Sequence, residues 1–153
     1  MSNRGDVVQL LPGLRRFAVA LTGAQETPGP RQADEMVLRA VHTTLRAGPY
    51  TSQVALRTAL YGAFIHLQHG RPPAQSEGLT PIAGGLRELP LAHRAALLLV
   101  TLESFSYDEA ADILGVSRNI LLGRLAATRQ MLARHMEAAS SGAARPPHLR
   151  LVK

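Results

Sequence analysis

The feature that most constrains this chain is the stretch from Leu89 to about Met136, which spells three helices whose last two are separated by only a few residues. Ser106 stands where a helix N-cap belongs, and Glu109 follows three residues later. The hydroxyl can accept from the Glu109 amide while the carboxylate reaches back to the Ser106 amide, as in a capping box. A helix is predicted to start near Tyr107. Gly115 is suited to the left-handed conformation that ends it. Val116 then fills the corner, and Ser117 caps a final helix running to about Met136. A connection this short between two helices predicts a helix-turn-helix.

The faces of these helices follow from spacing. Ala110 and Ala111 are small where two helices cross closely, and Leu121 and Leu125 lie four apart on an inward face. Arg118, Asn119, Leu122, Ala126 and Gln130 point outward. In a helix-turn-helix this outward face enters the major groove of DNA by its N-terminal turn.

Upstream, Leu10, Leu14, Phe17, Ala18 and Leu21 make a helical stripe closed by Gly23, with Arg15 and Arg16 facing away from it. After a Pro- and Gly-rich segment, Met36, Val37, Ala40, Val41 and Leu45 form the apolar face of a second helix over 33–47, and a third runs over 52–68. Tyr61 and Phe64 on this third helix are either core or platforms for unstacked bases, and helical spacing favours core. Residues 69–85 are rich in Pro, Gly and polar side chains and are predicted to be a linker. From residue 138 the chain is predicted to be a disordered tail. No alternating strand-like run occurs, so the predicted class is all-α. Two small helical lobes, 5–68 and 86–137, are expected to pack on each other or on a partner, because lobes of this size bury little apolar surface alone.

The segment LPLAHRAALLLVTLESFSYDEAADILGVS, followed by GRL and a later TR, resembles the fourth conserved region of bacterial extracytoplasmic-function sigma factors. LLPGLRRFAVALTG and ADEMV are similar to the start of that family's second region. The resemblance implies a region-two-like bundle followed by a region-four-like helix-turn-helix. It also implies core RNA polymerase and promoter DNA as partners, an anti-sigma factor as a further partner, and a role in transcription initiation within a stress response. Carried onto this chain, Ser117, Arg118, Asn119, Leu122, Arg124 and Arg129 become the DNA-binding set. Asp34, Glu35, Leu38 and Arg39 become the polymerase- or anti-sigma-binding set. Several positions depart from the family pattern. Leu38 and Arg39 replace the usual Gln and Glu, Ile120, Leu122 and Gly123 replace Thr, a polar residue and Ser, and the chain has no Trp.

These departures leave two functions to weigh. The first is a sigma factor of the extracytoplasmic-function type. The second is a sigma mimic that binds an anti-sigma factor in place of the true sigma. Alphaproteobacterial stress regulators carry such a sigma-like half, and ALTGAQ at 20–25 resembles their ALTGSQ. Taken together, the motifs favour the sigma factor.

Charge and composition exclude other classes. A formal charge of +6 suits a polyanionic partner, although the 17 basic residues are spread along the chain. With no Cys, disulfides and thiol chemistry are excluded. His66 and His69 are the only His pair at helical ligand spacing and lack further ligands nearby, so no metal and no cofactor is expected. Asp108, Glu109 and Asp112 are explained by the helix start, where acids favour the dipole. No nucleophile motif or phosphate loop occurs, so neither enzyme activity nor a small-molecule substrate is expected. The longest apolar run is too short to span a bilayer, and a cytoplasmic location without membrane contact is expected.

Overall fold

The computed structural model describes residues 3–23, 29–71 and 81–143. These form seven helices: α1 (Asn3–Thr22), α2 (Gly29–Ala47), α3 (Gln53–Gln68), α4 (Pro81–Glu88), α5 (Leu91–Thr101), α6 (Tyr107–Leu114) and α7 (Arg118–Ala143). No strand occurs among the described residues. The protein is all-α, as its periodicity predicts.

In the first half, α2 packs on α1 and α3; in the second, α7 packs on α4, α5 and α6. The halves meet where α1 lies on α5 and α3 lies on α6. One apolar core runs through both, from Leu14, Phe17 and Phe64 to Leu99, Ala110 and Leu121. Removing these side chains from water is the main favourable term for joining the halves. Phe17 meets Tyr61 and Phe64 edge-on, at ring-centroid distances of 5.1 and 6.1 Å. Tyr61 and Phe64 are fully buried, so neither offers a face to an unstacked base.

The α6–α7 turn follows from its residues. Ser106 Oγ accepts from the Glu109 amide at 3.2 Å, and Glu109 Oε2 accepts from the Ser106 amide at 2.8 Å. Gly115 has φ +65°. Its N–H donates to the Asp112 carbonyl, and that of Val116 donates to the Ala111 carbonyl. This pair of bonds is the Schellman closure, which requires a residue tolerant of the left-handed region. Ser117 Oγ then accepts from the Ile120 amide at 3.2 Å and starts α7.

Four boundaries differ from the sequence expectation, the first being α2, which starts at Gly29 rather than at 33. Helix α1 begins at Asn3, ahead of the apolar stripe at Leu10, and carries Pro12 inside it. Helix α4 begins within the expected 69–85 linker, of which 72–80 lie outside the described residues. Its Gly85 lets the helix approach α7, since a Cβ there would stand 3.0 Å from the His135 ring and 3.1 Å from Leu132. Helix α7 runs to Ala143, into the segment expected as a tail, whose residues 144–153 lie outside the described residues.

Arg94 joins these elements from inside. Its side chain is buried and donates to the carbonyls of Leu21 at the end of α1 (2.6 Å), Arg87 in the last turn of α4 (3.0 Å) and Leu89 (2.9 Å). A cation there also opposes the negative end of two helix dipoles. Burial, and secondarily the charge of Arg87, holds its pKa below the ordinary arginine value.

Candidate partner-binding site

Two exposed surfaces carry the residues singled out by the sequence. On α2, Glu35, Leu38 and Arg39 face solvent, and Leu38 is 65% exposed, high for a leucine within a helix. Asp34 is only partly exposed, and Arg15 of α1 pairs with it at 3.1 Å.

The second surface is the outer face of α7. Asn119, Ile120, Leu122, Gly123, Ala126 and Arg129 are exposed, while Leu121, Leu125 and Thr128 point into the core. Ile120 is 51% exposed and Leu122 37%. Of the cations expected to touch DNA, Arg118 reaches back to Asp108 at 3.4 Å and lies over the Tyr107 ring at 5.8 Å. Arg124 is half-buried. Ser117 is committed to capping α7. Base-edge readout in the major groove depends on donors and acceptors. Here Ile120 and Leu122 add exposed apolar side chains on the two flanks of the face, with Asn119, Gly123 and Ala126 between them. Large exposed apolar side chains suit a protein partner better than base edges.

Beside this face a cavity of about 320 Å³ is lined by Val100, Phe105, Ser106, Tyr107, Asp108 and Arg118. Among the described residues no cluster of metal-ligating side chains exists. His66 and His69 are exposed, with their rings 6.1 Å apart. No described helix is long and apolar enough to cross a membrane.

Between the halves lies a polar cluster that sequence reasoning missed. The Glu103 side chain, 3% exposed, receives Arg16 Nε and Nη2 on Oε1 at 3.2 and 3.1 Å and the Tyr61 hydroxyl on Oε2 at 2.7 Å. Arg57 Nη2 donates to the Glu103 carbonyl at 2.6 Å, and its guanidinium lies 3.8 Å over the Phe105 ring. Burial first, and then the bond to Glu103, pushes the Tyr61 phenol well above its ordinary range. Arg16, expected to face away from the core, is thus the exposed end of a buried network. Arg16 and Glu103 are 87 positions apart, so no local spacing announces the pair.

The architecture, an α1–α3 bundle joined to an α4–α7 unit, is that of a sigma-factor-like helical protein. Within that class, residues 86–127 match the family model described as "Response regulator PhyR, sigma-like domain". Among solved structures, the chain is similar to the PhyRSL–NepR complex from Sphingomonas sp. Fr1, with 26% identity, TM-score 0.66 and 88% of each chain covered. It is similar in fold to the anti-anti-sigma factor PhyR complexed with the anti-sigma factor NepR from Bartonella quintana (23%, 0.66), covering 87% of this chain and 50% of that one. It is also similar in fold to the sigma factor RpoE in complex with NepR from the same organism (21%, 0.60), covering 88% and 96%. The chain therefore spans about half the length of the Bartonella PhyR chain. No curated protein matches it.

These findings correct the sequence-based preference for a sigma factor that initiates transcription. The matching family model is that of a sigma-like domain of a response regulator. The exposure of Ile120 and Leu122 agrees with that correction, and core polymerase and promoter DNA lose their support as partners.

Proposed function

We propose that this chain is a sigma mimic: it binds an anti-sigma factor of the NepR type and so competes with the true sigma factor in a stress response. The observation that carries this reading is the match of residues 86–127 to the sigma-like domain of PhyR. The similar Sphingomonas PhyRSL chain is solved in complex with NepR. The exposed apolar residues support it, because Leu38 on one half and Ile120 and Leu122 on the other are placed to anchor a partner's apolar side chains. Glu35 and Arg39 border Leu38, and Arg118, Asn119 and Arg129 border Ile120 and Leu122, as a polar rim suited to steering and register. Arg124, half-buried, stands at the margin. Asp34 acts through its pairing with Arg15, and Ser117 by fixing the start of α7. Segments 5–68 and 86–137 serve as region-two-like and region-four-like halves. The protein works in the cytoplasm by occupancy, without catalysis.

Isothermal titration against a purified NepR-type anti-sigma factor tests this. We expect a one-to-one complex with Kd below about 1 μM, equivalent to about −8 kcal/mol. The double variant Leu38→Asp with Ile120→Asp should weaken it at least about a hundredfold, since two anchors become desolvated charges. Absence of any heat of binding by the parent protein refutes the reading.

A further inference from the structure

We infer that Glu103 is a positioning residue that sets the angle between the two halves, and through that angle the affinity for a partner spanning both. Apolar contacts between α1 and α5 and between α3 and α6 favour contact but are non-directional. The bonds to Glu103 are directional and, unlike the single Arg94 bond to the Leu21 carbonyl at the end of α1, come from both helices of the first half that face the second. Arg16 of α1 and Tyr61 of α3 hold its two carboxylate oxygens, and Arg57 of α3 holds its carbonyl. The next residue, Ser104, is the only described non-glycine with positive φ, at 57°, so the α5–α6 connection is bent to present Glu103 to the first half.

Gly13 supplies a second, independent observation. A Cβ at this position would stand 3.0 Å from the Tyr61 hydroxyl and 3.1 Å from Glu103 Oε2. Any side chain there would push the Tyr61 hydroxyl and the Glu103 carboxylate aside by a few tenths of an ångström. The contact between the halves is therefore built around the Glu103 carboxylate rather than merely tolerating it.

Without the clasp the halves remain helical but sample several relative orientations. If the binding-competent orientation falls to about one tenth of the population, apparent affinity falls about tenfold. This second consequence rests on the proposed anti-sigma function; the first does not.

The full chain has no Cys, so spin labels can be placed cleanly at Val8→Cys on α1 and Arg134→Cys on α7, both exposed. Pulsed electron-paramagnetic-resonance distances are measured on the free protein. We expect one narrow distribution in the parent and a broadened one in Glu103→Ala at unchanged helicity. Unlabelled Glu103→Ala should bind the NepR-type factor about tenfold more weakly. A distribution in Glu103→Ala as narrow as in the parent overturns the inference. If Glu103→Ala loses helicity, Arg16→Gln, at the exposed end of the clasp, carries the test with the same two outcomes. Because distances are read without a partner, a parent that binds no anti-sigma factor defeats the proposed function and leaves the distance result standing.

Discussion

Replacing Arg94 by Met keeps the side-chain length and removes the guanidinium that three backbone carbonyls share. Those carbonyls belong to Leu21, Arg87 and Leu89, and they sit where α1, α4 and α5 converge. A buried acceptor stripped of its donor costs about 1–3 kcal/mol. Three such losses come to roughly 3–9 kcal/mol. Removing a charge that burial already disfavours, as its lowered pKa shows, returns part of this. Water reaching the helix ends returns more. The net expectation is a loss of about 3 kcal/mol, which for a chain of this size lowers Tm by about 6–12 °C. Urea denaturation followed by helical circular dichroism should show the midpoint falling with the slope unchanged. Arg94→Lys, with one ammonium in place of a two-armed fork, should fall between the two. A loss below about 1 kcal/mol for Arg94→Met would mean that the carbonyls find other donors, and the role given to Arg94 would be wrong.

Three further outcomes are expected. Ser106→Ala removes the capping-box hydroxyl and should cost about 1 kcal/mol, measured in the same urea experiment. Gly123→Ala should stabilise the protein by about 0.5–1 kcal/mol, because a Cβ there meets no atom within 4 Å and the helix gains propensity; a decrease in Tm would show that this face is packed rather than free. Tyr61 has a phenol pKa raised above its ordinary value of 10, so its contribution to stability is fully present below that value and is lost as pH rises beyond it. Tyr61→Phe should therefore be less stable than the parent at neutral pH, by about 1–2 kcal/mol from the orphaned Glu103 oxygen, yet decline less steeply above about pH 10. Parallel alkaline declines in the two proteins would show that Tyr61 ionises freely in the folded state.

Local chemistry was legible in the sequence where it acts over a few residues. The Ser106–Glu109 box, the left-handed Gly115 and the inward Leu121 and Leu125 stand as spacing predicts. Helix α4 was missed because Gly84 and Gly85 read as loop residues, whereas Gly85 serves close packing against His135. The start of α1 was missed because the apolar stripe is continuous only from Leu10, whereas the helix extends back to Asn3 and buries Val7; within it Gly13 makes room for the clasp. Arg16, Tyr61 and Glu103 gave no joint signal, since their meeting is a property of how the halves pack. For the candidate site, spacing identified which α7 residues point outward, but residue type decides what such a face can bind. Ile120, Leu122 and Gly123, read as departures from a DNA-reading helix, are exposed and offer no side-chain donor or acceptor to a base edge.

The most direct test of the central claim is a competition assay: a labelled sigma factor held by a NepR-type anti-sigma factor is titrated with this protein, and sigma release is followed by fluorescence anisotropy. The account predicts stoichiometric release, with no run-off transcript when this protein alone is added to core RNA polymerase. Retention of the sigma factor by its anti-sigma factor, together with transcripts from core polymerase and this protein, would contradict it.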